Sequence, residues 1–100
     1  MAKVLLDLNN AEFQKDWFSL EKQEALAVLA TLTRLSEMTW EHLYRDRGLR
    51  WETIHSHVGS AGQRLYSLRV TKKCRAVAYR EGAILRFVSL HPDHDSAYGD

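Results

Sequence analysis

The chain has 100 residues, 45% of them hydrophobic and 27% charged, with a formal net charge of +1; this predicts one soluble globular domain over residues 1–100 with a single core. No apolar run approaches the roughly 18 residues of a membrane span, so no membrane partner is expected, and Asp7 breaks the first apolar stretch too early for a secretory signal. With a single cysteine, Cys74, no internal disulfide can form, and the expected location is the cytoplasm.

In chain order, residues 3–8 are short and apolar enough for a strand. Asn9 and Asn10 then offer side-chain oxygens that accept the free backbone N–H groups of a helix start. Phe13, Trp17 and Leu20 recur at i, i+4 and i+7, the spacing of one helical face. Over residues 21–38, Ala25, Val28, Leu32 and Leu35 repeat at helical spacing with Leu29 widening the stripe, and neither Gly nor Pro intervenes. These two segments predict an αα-hairpin. Thr39 can cap a further short helix through Trp40, Leu43 and Tyr44, stopped by Gly48.

Beyond Gly48 the apolar period shortens. Residues 51–57 read as a weak strand and residues 59–62 as a loop, while 64–70 alternate clearly, with Tyr66, Leu68 and Val70 on one face and Leu65, Ser67 and Arg69 on the other. Residues 74–80 and 83–90 follow as strands. The gaps between them suit hairpin turns, the second using Gly82 for the positive φ of a tight turn. The predicted fold is α+β: an N-terminal strand and helical hairpin packed on a small twisted, mainly antiparallel sheet.

Charge is unevenly spread along this order. Residues 1–41 carry a net −3, residues 42–86 a net +7 from ten Lys/Arg against three Asp/Glu, and residues 87–100 a net −3. A basic block of that density is an electrostatic footprint for a polyanion or an acidic partner, the plain alternative being a solvated surface.

The run Leu65-Tyr66-Ser67-Leu68-Arg69-Val70, then Cys74-Arg75-Ala76-Val77-Ala78-Tyr79, then Ile84-Leu85-Arg86-Phe87-Val88-Ser89-Leu90, with a polar segment from His91 to Tyr98, resembles the core of RelE/ParE superfamily toxins. The resemblance spans nearly the whole chain, although its motifs are loose. It implies a type II toxin held by a cognate antitoxin. Members of the RelE, YoeB, YafQ and HigB type cleave messenger RNA on the ribosome, whereas ParE-type members poison gyrase by contact. Fold alone does not separate these activities, nor exclude a detoxified interaction module.

Metal-independent RNA cleavage through the 2′-hydroxyl needs a proton acceptor, a cation for the charged phosphate and a proton donor for the leaving 5′-oxygen. Histidine suits the proton steps and arginine the phosphate. The resemblance therefore implies His94, four residues before Tyr98, as first candidate for the general acid, with His91 replacing or assisting it. Tyr98 would stack on a base or orient the phosphate. Arg75 matches the strand arginine set against the scissile phosphate, and Arg69 a basic residue of the preceding strand. Ser67 departs from RelE, which has two lysines on that strand face. Arg64, Lys72, Lys73 and Arg86 would hold RNA backbone. His55 and His57 match the pattern poorly; either could be a base or structural. No metal or other cofactor is expected, because H-x-H and H-x-x-H lack a companion cysteine or helical zinc context.

Overall fold

A computed structural model describes residues 2–92. Its elements are β1 (Leu5–Asp7), α1 (Ala11–Phe18), α2 (Lys22–Ser36), α3 (Trp40–Arg45), β2 (Glu52–Val58), β3 (Arg64–Thr71), β4 (Cys74–Glu81) and β5 (Ile84–Pro92). Among the described residues the strands form one sheet in the order β1-β5-β4-β3-β2, antiparallel throughout except for the parallel β1–β5 pair. The architecture is α+β, as the sequence predicts.

Each helix starts at a side-chain cap or is tied down by a polar contact. Asn10 accepts from the N–H groups of Glu12 and Phe13 at 2.8 and 3.2 Å, which fixes the start of α1. Phe13 is then fully buried, its ring 5.1 Å from Phe87 of β5 and 6.0 Å from Trp17. The indole N–H of Trp17 donates to the Ala25 carbonyl at 3.1 Å and joins α1 to α2. Helix α2 buries Val28, Leu32 and Leu35 as predicted, but Leu29 is 45% exposed. The stripe widens instead through Thr31, which is buried because its hydroxyl donates to the Val70 carbonyl of β3. Thr39 caps α3 by accepting from His42 N–H, and the helix ends at Arg45, short of Gly48. Asp46 then accepts from Leu49 N–H, and Arg50, at φ 51°, turns the chain into β2.

The hairpin turns are two residues long, Lys72-Lys73 between Thr71 and Cys74, and Gly82-Ala83 between Glu81 and Ile84. Gly82 has φ 61° as expected, although the turn lies one residue later than the sequence suggests. Three irregularities shape the sheet, the first a register shift of β2 against β3 between Thr53 and Val58. Strand β3 gains a residue between Arg69 and Thr71, and β5 gains one between Phe87 and Ser89, where Val88 and Ser89 together face Val77. Side chains on a regular strand alternate with period 2, so burial of Leu85 and Phe87 would turn Leu90 outward. The bulge resets the count: Leu90 is buried and His91 emerges on the opposite face.

β1 closes the sheet with a charged clasp. The Arg86 guanidinium donates to Asp7, its Cα partner, and to Glu81 at 2.6 Å. The Asn9 backbone N–H does most to hold the Asp7 carboxyl below its ordinary value of 3.8; burial opposes it, and the hydrogen bond and charge of Arg86 add to the lowering. A depressed carboxyl binds its proton later in the folded than in the unfolded chain as pH falls. Its stabilisation is therefore complete above the unfolded value and disappears as pH drops through the folded one. Asp7→Asn should flatten the acid limb of a stability–pH curve below about pH 4 and lower stability near neutrality, read by urea unfolding across pH; an unchanged acid limb would refute the assignment.

Candidate functional site

The sheet face turned away from the helices holds a trough of about 600 Å³. Its floor is apolar, made by Ile54, Val58, Leu65, Val77 and Val88, and its polar groups are Ser56, His57, Ser67, Arg75, Ser89 and His91. Strand register explains how they meet. Arg69 lies opposite Arg75, and Arg75 opposite His91, so the three form a row across β3, β4 and β5. Ser67, Val77 and Ser89 form the next row. Adjacent strands are about 4.8 Å apart, which sets Arg75 and His91 within reach of one phosphate-sized group.

The histidine of this row is exposed and supported from beneath. Ser89 is buried, and its Oγ shares a hydrogen bond of 2.9 Å with His91 Nε2. A hydroxyl both donates and accepts, so this contact serves the neutral ring, where the serine donates, and the imidazolium, where the ring donates. The contact orients the ring in either state and leaves Nδ1 free of that bond. At the β2 wall, Ser56 Oγ and His57 Nδ1 make an equivalent contact at 2.9 Å. The trough thus contains two serine-supported imidazoles and one guanidinium, with Nε of Arg75 itself buried.

The other predicted residues divide by position. Arg69 leaves the trough and lines a smaller hollow of about 230 Å³ with Arg34, Leu49 and Lys72. Lys72 and Lys73 form the turn at the same end of the sheet, where Cys74 pairs with Pro92. Arg64 sits at the far end of β3 beside His55 and His57. Arg86 is outside the trough, engaged by Asp7 and Glu81. His94 and Tyr98 lie outside the described residues. His57, poorly matched in sequence, joins the site because β2 pairs with β3 at Glu52 and Thr53, slips, and pairs again only at Val58. A two-residue spacing suggests one shared face for His55 and His57, yet only His57 borders the trough.

Among the described residues no three of His, Cys, Asp and Glu gather to hold a metal ion, and no helix is long and apolar enough to cross a membrane. Cys74 is fully buried. No family model and no curated protein matches the chain. A solved structure of a copper-bound mutant toxin from Helicobacter pylori is similar to it with a TM-score of 0.44 and 17% identity, over 94% of this chain and 96% of that one.

Proposed function

We propose that this chain is the toxin of a type II toxin–antitoxin pair, a cytoplasmic, metal-independent endoribonuclease that cuts messenger RNA on the ribosome and stops translation. The observation that carries this reading is the row formed by Arg75 and His91, with His57 across the same trough. In the proposed reaction His57 takes the proton of the 2′-hydroxyl as its oxygen attacks phosphorus. Arg75 donates two hydrogen bonds to the phosphate oxygens as charge builds. The bond from phosphorus to the 5′-oxygen breaks, and His91, or His94 three residues on, protonates the departing oxygen. The products are a 2′,3′-cyclic phosphate and a 5′-hydroxyl. The apolar floor suits the faces of nucleobases, and Arg64, Arg69, Lys72 and Lys73 suit backbone phosphates on either side.

Brief induction followed by primer extension tests this directly: new 5′ ends within codons are expected, and arrested growth with intact messages would overturn it. Backbone contacts have a separate signature. Removing both turn lysines, Lys72→Ala with Lys73→Ala, should reduce the dependence of log affinity on log salt by about 1.4 for single-stranded RNA, with cutting positions unchanged. An unaltered slope in a filter-binding titration would remove the turn from the RNA path.

A contact-only, ParE-like action on gyrase is the second reading, and the five apolar residues of the floor favour it because a protein segment would cover them. Supercoiling by gyrase in the presence of the purified chain separates the two.

A further inference from the structure

Helix α1 carries an acid on the side that packs against the sheet. Asp16 follows the fully buried Phe13 by three residues, so both point toward β5, and Asp16 is half-buried. A carboxylate there needs a partner, because desolvating it without one is costly. It accepts from the backbone N–H of Leu90 at 3.0 Å through Oδ2. That N–H follows the β5 bulge immediately. β1 pairs with β5 only at Ile84, Leu85 and Arg86, so past Arg86 that edge of β5 has no neighbouring strand among the described residues.

We infer that Asp16 is a positioning residue for His91, an assignment that rests on the proposed reaction for its functional meaning. The bulge sits where two threadings of β5 compete. In the regular one Leu90 faces the open side and His91 turns toward the helices; in the bulged one Leu90 is buried and His91 stands opposite Arg75 over Ser89. Burial of Leu90 favours the second, and the Asp16 carboxylate adds a charge-assisted hydrogen bond that exists only when Leu90 N–H faces α1. The helix thereby holds the strand in the threading that builds the trough. β3 has a parallel device, since the Val70 carbonyl beside its own irregularity accepts from Thr31 of α2. Asp16 itself stays away from the reacting atoms.

The test compares Asp16→Ala with Asp16→Asn, which keeps an acceptor oxygen, in the full chain. By NMR, Asp16→Ala should speed exchange of the Leu90 amide by at least about tenfold, shift the His91 ring resonances and weaken the nuclear Overhauser effect between His91 and Ser89. The His57 resonances should stay in place, and Asp16→Asn should restore those of His91. In RNA cleavage the alanine variant should lose kcat with little change in KM. Unmoved His91 resonances in a folded Asp16→Ala variant would overturn the assignment. If that variant does not fold, the wild-type Leu90 amide decides: protection supports the assignment and exchange at the rate of an open strand refutes it. The NMR arm reads geometry alone, so a wild-type chain that cuts no RNA would fail the proposed function and leave the test of Asp16 intact.

Discussion

Arg75→Ala and His91→Ala should each lower messenger RNA cleavage by about 100-fold or more, the usual worth of a positioned acid or of a donor aimed at developing charge. The two losses should not add in the double variant, because the groups act on one phosphate in one transition state. Arg75→Lys should recover only part of the rate: an ammonium restores the charge but not the planar pair of donors. Both side chains lie on the face away from the core, and His91 is exposed, so the melting temperature of His91→Ala should stay close to that of the parent chain. Cutting at the parent rate in folded Arg75→Ala and His91→Ala variants would sink the assignment. His57→Ala, measured beside them, should suppress the limb of the pH–rate profile that reports the base. If the gyrase reading is right instead, toxicity should survive loss of His91 and fall when the floor is made polar, as in Val77→Asp.

These expectations depend on features that the sequence shows to different degrees. Local chemistry was legible: Asn10 and Thr39 as caps, Phe13 and Trp17 as one helical face, and Gly82 at a left-handed turn position each depend on neighbours within a few residues. The alternation of Leu68 and Val70 was equally local. What escaped depends on partners far away in the chain. Leu29 and Thr31 flank opposite sides of the α2 stripe, and the side that is buried is the one whose Thr31 meets the carbonyl of Val70, thirty-nine positions on. His57 enters the trough only through the irregular β2–β3 pairing.

The β5 bulge was partly readable. Leu85 and Phe87 are two residues apart and Leu90 three further on, a break in period that signals an extra residue once β5 is known to be one strand. The engagement of the basic residues is not local in sequence. Of the ten cations in residues 42–86, Arg86 is engaged by Asp7 and Glu81. Arg80 packs 4.1 Å over the Trp40 ring and donates to the Tyr44 hydroxyl at 2.7 Å. That arginine completes an aromatic cluster in which Trp51 stacks on Tyr66 at 4.5 Å. A basic block in sequence therefore includes cations that the fold engages within the chain, because sequence position does not reveal which of them are already matched.

Phe13→Ala should destabilise the fold by about 3–5 kcal/mol, the cost of removing a fully buried ring and leaving a cavity. The ring is 0% exposed and contacts both Phe87 and Trp17, so the space cannot be filled by a small local shift. In a domain of 100 residues a loss near 3 kcal/mol lowers the melting temperature by roughly 12–24 °C. The same substitution loosens α1 from β5 just where Asp16 meets Leu90, so it should also disturb His91, but only in proportion to global unfolding. Asp16→Ala should show the reverse balance, a modest change in melting temperature with a distinct change at His91. Calorimetry on both variants, set against the His91 ring resonances, separates packing from positioning. If the two variants fall on one line relating stability to the His91 signal, α1 contributes to the site through burial alone.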